Sequence, residues 1–305
     1  MRDQAKYADW IAVDWGTTNL RAWAMSRDNE ILAEARSDEG MGSLRKDQFE
    51  PALLALIEPW LGIHQTQVLA CGMVGSRQGW AEASYRPVPT HVYGGATKVA
   101  CKDPRLNVSV LPGISQTDPA DVMRGEETQI AGFSTATPEF DGVLCLPGTH
   151  SKWARISAEE VVSFQTFMTG ELFDLLAEKS VLRHSVTGSD WDDQSFADAV
   201  SEALSRPEAL AARLFNLRAK QLLDGQAQGE LVARLSGLLI GAELAAAKPY
   251  WLGQDVAVIG DPKLTALYAQ ALGLQGLSAR QVNGDDMTLA GLIRVQKELG
   301  LCPET

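Results

Sequence analysis

Two short stretches of the same design set the strongest limit on the fold. Val13–Asn19 reads VDWGTTN and Leu146–Lys152 reads LPGTHSK; each runs an apolar segment into a glycine–threonine turn and leaves it extended. A strand, a tight turn of small polar residues and a second strand make a hairpin. The unit occurs twice, roughly 130 residues apart in a chain of 305. That length exceeds one ordinary core, and strand-rich segments followed by helices recur, so two α/β lobes are predicted.

The rest of the pattern fits. Ile11–Asp14, Leu20–Met25 and Glu30–Arg36 read as an antiparallel meander joined first by the turn at Gly16–Asn19. A helix is predicted over Asp47–Leu61. Gln67–Cys71 reads as a strand that ends in the glycine-rich loop CGMVGSRQGW, and Val108–Leu111 reads as another. GEETQIAGF, from Gly125, places acids in the first turn of a helix. Gly142–Leu146 is a strand, Asp174 to about Gln226 is predominantly helical, and ELVARLSGLLIGAELAAAK is a helix with small residues on one side. Gln254–Gly260 is a strand before a helix over Lys263–Leu272. A turn at Asn283-Gly284-Asp285 precedes a last helix, Met287–Leu299.

Composition excludes several functions. Apolar residues make up 45% and charged residues 22%, a globular balance, and the formal net charge is −12. An acidic chain is a poor partner for nucleic acid or an anionic membrane. No apolar run approaches a membrane span, and the N-terminal MRDQAKYADW carries no signal-like apolar core. Cys71, Cys101, Cys145 and Cys302 form no CxxC pair, and His64, His91, His150 and His184 have no metal-ligand spacing. A reducing cytoplasm is expected.

Glycine and threonine in a turn let backbone N–H groups converge on an anion. Two such cradles, built on Gly16, Thr17, Thr18 and Asn19 and on Gly148 and Thr149, suit a triphosphate. Asp14 at the end of the first strand can hold a magnesium ion through water. Arg21 and Lys152, just past the turns, are placed to neutralise phosphate charge. A single turn of this kind is more often a plain hairpin; the ordered pair shifts the balance to nucleotide binding.

The order of segments resembles the actin, sugar-kinase and Hsp70 ATPase superfamily, and within it the 2-dehydro-3-deoxygalactonokinase family. Asp14–Asn19 with Arg21 resembles its first phosphate motif, Gly72-Met73-Val74-Gly75-Ser76 with Gly79-Trp80 its sugar-acid loop, and MRGEETQ (Met123–Gln129) its signature before the first connecting helix. PGTHSKW (Pro147–Trp153) resembles the second phosphate motif. FMTGEL (Phe167–Leu172) and GLLIGAE (Gly237–Glu243) match further stretches. Val258-Ile259-Gly260 with Leu264, Thr265 and Tyr268 resembles the adenosine motif, and Ala290-Gly291-Leu292 the second connecting helix.

The resemblance implies an α/β fold of two actin-like, ribonuclease H-like lobes with mixed sheets around a nucleotide cleft. Residues 1–137 with 285–305 would form one lobe and 138–284 the other. It implies a cytoplasmic kinase that uses ATP and Mg2+ to phosphorylate the 6-hydroxyl of 2-dehydro-3-deoxy-D-galactonate. Glu126 is expected as the catalytic base, where related sugar kinases carry Asp, with Asp121 and Asp118 as alternatives. Arg124 would contact the sugar acid or the transferring phosphoryl. Gly72, Met73, Gly75, Ser76, Arg77 and Trp80 would bind the sugar acid, and Gly241, Glu243, Gly260 and Thr265 the nucleoside. His150 is expected to be a turn residue with a satisfied ring nitrogen. Rivals are a kinase of another sugar acid, such as the gluco epimer, and a nucleotide-cycling ATPase of the chaperone type.

Overall fold

The computed structural model describes residues 7–186, 190–225 and 227–300. The described residues divide into two compact units. The first comprises residues through Phe140, Ser157–Ser163 and those from Gly284 onward; the second comprises Asp141–Ile156 and Phe164–Asn283. Cys302 and Gln226 lie outside the described residues.

In the first unit, β1 (Trp10–Trp15), β2 (Leu20–Met25) and β3 (Ile31–Ser37) form the expected antiparallel meander, and β4 (Thr66–Cys71) adds in parallel to β1. Short strands follow at β5 (Arg86–Pro87), β6 (Thr90–His91) and β7 (Thr97–Lys98), then β8 (Leu106–Val110). The main sheet runs β3-β2-β1-β4-β8-β7. A hairpin of β9 (Ile114–Thr117) and β10 (Ala120–Met123) forms a small sheet with β5.

The main sheet is covered on both faces, and side-chain alternation along β1 shows how. Ile11, Val13 and Trp15 pack with Phe49 and Leu53 of helix α1 (Phe49–Ile57). Trp10 and Ala12 pack with Leu292 and Val295 of the C-terminal helix, Gly284–Glu298. Asp14 continues the second of these faces at the strand's open end. The predicted helix over 47–61 is shorter: Pro59 cannot donate to an α-helical ladder, and Glu58–Trp60 tightens into a 3-10 turn.

Helix α2 (Glu126–Ala136) meets the C-terminal helix backbone to backbone. A Cβ on Gly132 would overlap the Met287 carbonyl oxygen, and one on Gly291 would overlap that of Thr128. The expected Asn283-Gly284-Asp285 turn is corrected. A strand ends at Asn283 and the helix begins at Gly284, whose carbonyl accepts from the Thr288 hydroxyl at 2.9 Å.

In the second unit, β11 (Gly142–Leu146), β12 (Ser151–Ser157), β13 (Glu160–Phe167), β14 (Val256–Gly260) and β15 (Arg280–Asn283) run in the order β15-β14-β11-β12-β13. The hairpin tip is grouped with the first unit, where Glu160 pairs with His91. Helices α3 (Thr169–Lys179), α4 (Asp193–Ser205), α5 (Leu210–Asp224), α6 (Gln228–Ala246), α7 (Lys248–Trp251) and α8 (Pro262–Gly273) complete the unit. Asp192 caps α4 through the Ser195 N–H at 2.6 Å, and Asp261 caps α8 with Pro262 in its first turn. Val143, Cys145 and Trp153 pack under α4, α6 and α8. Among the described residues no helix is long and apolar enough to cross a membrane.

Candidate active site

The first turn is a backbone cradle held from behind. Carbonyls of Gly16, Thr17 and Thr18 accept from the N–H groups of Met41 (2.9 Å), Gly42 (2.9 Å) and Gly40 (3.2 Å). A peptide's C=O and the next residue's N–H point in opposite directions. The N–H groups of Thr17, Thr18 and Asn19 therefore turn away from residues 40–42, as an anion cradle requires. Gly40 is obligatory, because a Cβ there would overlap the Thr18 backbone.

Asp14 and Arg21 follow from strand register. They are cross-strand partners, and Arg21 Nη2 donates to Asp14 Oδ2 at 3.1 Å. The guanidinium also pairs with Asp285 and lies over Trp23 at 4.6 Å. Burial pushes the Asp14 carboxyl above its ordinary range, against the pull of Arg21. Asp14, Arg21 and Asp285 line a cavity of about 500 Å3 with Gly16, Thr18 and Asn19.

One further loop reaches Asp14, and a second packs on the first. Gly72, at φ +89°, leaves β4 so close that a Cβ would meet the Trp15 carbonyl at 2.7 Å and Asp14 Oδ1 at 3.6 Å. Gly125, at φ +108°, would bring its Cβ within 3.6 Å of the Gly72 Cα. Only glycine adopts either conformation cheaply. The start of α2 thus sits beside the strand end that carries Asp14. Glu126 is half-buried and its Oε2 accepts from the Arg124 N–H at 3.0 Å. Glu127 is buried, accepts from the Gly125 N–H at 2.6 Å and from the Thr128 hydroxyl at 3.1 Å, and burial pushes its carboxyl to about 7. Asp118 is exposed and Asp121 half-buried on the β9–β10 hairpin.

In the second unit, Gly148 and Thr149 line a cavity of about 340 Å3 with Thr169, Phe173, Trp191 and Tyr268. Gly170 packs so tightly on the second turn that a Cβ would overlap the Gly148 carbonyl, and the Glu171 N–H donates to Thr149 O at 2.9 Å. His150 Nε2 lies 2.6 Å from Glu171 Oε2, a satisfied turn histidine.

Residues 14–295 match the family model described as 2-keto-3-deoxy-galactonokinase. The chain belongs to that family. It is 41% identical over 292 residues to a protein of Rhizobium meliloti (strain 1021) named as a probable 2-dehydro-3-deoxygalactonokinase, DgoK1, covering 93% of this chain and 95% of the relative. It is 34% identical over 289 residues to the 2-dehydro-3-deoxygalactonokinase of Escherichia coli (strain K12), covering 93% and 96%. A crystal structure from Sinorhizobium meliloti, described as a candidate 2-dehydro-3-deoxygalactonokinase, superposes with a TM-score of 0.88 at 39% identity over 95% of this chain and 99% of that one. The mixed α/β fold is the one that this crystal structure shows.

In this galactonokinase-family chain several expected ligand residues turn inward. Arg124 is buried: its guanidinium donates to Ala83 O at 2.7 Å, stacks 4.4 Å over Tyr85 and abuts Gly75, and so ties these loops together. Trp80 stacks on Phe49 and meets Trp15 edge-on, a packing role. Arg77 is exposed beside Glu82. Ser76 is buried with its hydroxyl unpartnered, while Met73 and Gly75 belong to the 3-10 turn after Gly72. Lys152 is buried, its ammonium donating to His150 O at 2.8 Å.

The nucleoside set changes as well. Gly241 serves helix packing, since a Cβ would meet the Val200 carbonyl of α4 at 2.5 Å. Thr265 is buried with its hydroxyl on Pro262 O, and Gly260 lets β14 pass the Pro147 carbonyl. Glu243 lies behind the cavity with its carboxylate taken by Trp153, Thr169 and Tyr268. Thr169, Phe173, Asp174, Trp191 and Ser236 line the cavity, and sequence reasoning gave none of them a role. The tight word TG at 169–170, inside FMTGEL, was the available signal.

Proposed function

We propose that the protein is a cytoplasmic, ATP-dependent kinase that transfers the γ-phosphoryl group to the 6-hydroxyl of 2-dehydro-3-deoxy-D-galactonate. Family membership over residues 14–295 supports the substrate class. The observation that carries the mechanism is the meeting of Asp14, Gly72 and Gly125, which sets a carboxylate, a glycine loop and the Glu126 turn in one place. Phosphoryl transfer needs alignment and charge neutralisation more than covalent chemistry.

The cradle at Gly16–Asn19 is the proposed seat of the terminal phosphates. Within the second unit, Gly148 and Thr149 form a second candidate phosphate turn, and the cavity that they line is the proposed adenosine site. Its size falls within the usual range for a small-molecule pocket. The Gly72–Ser76 loop supplies backbone N–H groups to the sugar acid. Glu126 accepts the proton of the attacking hydroxyl, and Glu127 holds Gly125 so that Glu126 faces the acceptor.

The residues fit magnesium. Asp14 and Asp285 offer hard oxygens beside a cavity with room for a hydrated ion. Asp14 would hold it through water, and its charge would offset that building on the phosphate oxygens. Arg21 keeps both carboxylates in place.

The test is a coupled ADP-release assay with MgATP and a panel of acceptors: both C4 epimers of 2-dehydro-3-deoxyhexonate, aldonates, hexoses, glycerol and none. Turnover confined to the galacto epimer is expected. Turnover on the gluco epimer alone would replace the substrate, and release without an acceptor would sink the kinase.

A further inference from the structure

We propose that Glu243 fixes the Thr169 hydroxyl as a hydrogen-bond acceptor facing the cavity of the second unit, so that Thr169 selects nucleotides by a donor group. The inference rests on the reading of that cavity as the nucleoside site.

The argument is one of polarity. Glu243 is 3% exposed, and three donors converge on it: Trp153 Nε1 reaches Oε1 at 2.7 Å, while Tyr268 Oη at 2.6 Å and Thr169 Oγ1 both reach Oε2. An indole N–H can only donate, which makes Oε1 an acceptor, and an ionised carboxylate accepts at both oxygens. Tyr268 and Thr169 must then give their protons to Oε2. Ser151 Oγ lies 2.9 Å from Tyr268 Oη and supplies the hydrogen that the tyrosine oxygen accepts. Burial holds the Glu243 carboxyl above its ordinary range against the pull of hydrogen bonds from Thr169, Tyr268, Trp153 and Ser151, so this polarity is that of the ionised form, which those converging donors favour.

Tyr268 also lines the cavity, but it is 1% exposed and its hydroxyl is already satisfied by Glu243 and Ser151. Thr169 is not sealed: it lines the cavity at the start of α3, where Gly170 is pressed on the Gly148 carbonyl. With its one proton committed to Glu243, Thr169 Oγ1 offers the cavity lone pairs only. It therefore accepts from a nucleoside and gives nothing. The donors a nucleoside carries are the ribose hydroxyls and an exocyclic amine. Glu243 acts through Thr169 and is a positioning residue.

The experiment measures initial rates of the full chain with its sugar acid and MgATP, 2′-fluoro- and 3′-fluoro-deoxy-ATP, and inosine triphosphate. Each analogue puts an acceptor where ATP has a donor. The wild type should reject one of them, which identifies the donor. Thr169→Val should raise the KM for ATP about three- to tenfold with kcat and the acceptor KM little changed, and should abolish discrimination against that analogue. Thr169→Ser should restore both. Glu243→Gln keeps an acceptor for the indole at Oε1 and presents NH2 to Thr169, reversing its polarity. It should therefore take the rejected analogue in preference to ATP. An equal Thr169→Val penalty on every nucleotide, a Thr169→Ser that fails like Val, or a Glu243→Gln that keeps the wild-type ranking would each overturn the proposal. Wild-type protein that consumes no ATP with any sugar acid fails the nucleoside reading itself, whereas turnover with a flat nucleotide series fails only the inference.

Discussion

Asp14 and Arg21 face each other across the β1–β2 hairpin, with 3.1 Å between Oδ2 and Nη2, on the sheet face that the C-terminal helix covers. Arg21 pulls this half-buried carboxyl down against a burial that raises it, at the place where a metal and phosphates are proposed to bind. Asp14→Asn should lower kcat by two to three orders of magnitude. Its melting temperature should not fall, because the substitution removes a carboxylate that burial disfavours. A kcat within tenfold of wild type would dismiss the role.

Glu126 should stand apart kinetically from Asp121. Glu126→Gln is expected to reduce kcat by 10²- to 10⁴-fold with the sugar-acid KM changed by only a few-fold. Equal losses in Glu126→Gln and in Asp121→Asn would leave the base unassigned to either and remove Glu126 from that role.

Glu127 makes stability depend on pH with a definite sign. Its folded carboxyl is raised from 4.5 to about 7, so its contribution is fully present below about pH 4.5 and is lost as pH rises through 7. The loss is of order 3 kcal/mol at most. Urea midpoints measured between pH 4.5 and 8 should fall in the wild type relative to Glu127→Gln. Parallel curves would refute the burial argument.

Gly132 and Gly291 permit a helix contact that no other residue allows. Gly132→Ala and Gly291→Ala should each destabilise the protein by at least about 1–3 kcal/mol in equilibrium unfolding. Gly273→Ala is the control, because space around that residue is open.

Gly40 tests the cradle from behind. Gly40→Ala drives a methyl into the Thr18 backbone, and the KM for ATP should rise more than that for the sugar acid. Equal changes in both would mean that the turn has no special part in holding phosphate.

Local signals were legible where period and turn chemistry agree. The apolar runs of β1 and β2 and the small residues at 16–19 announced the first hairpin, and Gly142–Leu146 was read to the residue. Register was not legible from one strand: that Asp14 would meet Arg21, and Arg21 Asp285, follows only when β2 and the C-terminal helix are in place. Chain order also misled at Asn283-Gly284, where pairing with β14 overrode a strong turn signal. The burial of Lys152 and Arg124 against backbone carbonyls was not legible either, because sequence shows charge and hides which face of a strand or loop is covered. The cavity residues Thr169, Phe173 and Trp191 converge from α3 and the segment ahead of α4, a coincidence of packing with no spacing to betray it.

The C-terminal helix has a consequence for how the chain is made. A ribosome emits Asp14 and Arg21 almost at once, but their third partner, Asp285, and the glycine that locks against Thr128 emerge some 270 residues later. Until then the sheet face bearing Trp10, Trp23 and Leu69 has lost its cover, and a nascent chain carries an open apolar surface beside an incomplete charge group. The helix at Gly284–Glu298 therefore completes, in one late step of synthesis, both the cover of that sheet face and the charge group around Arg21.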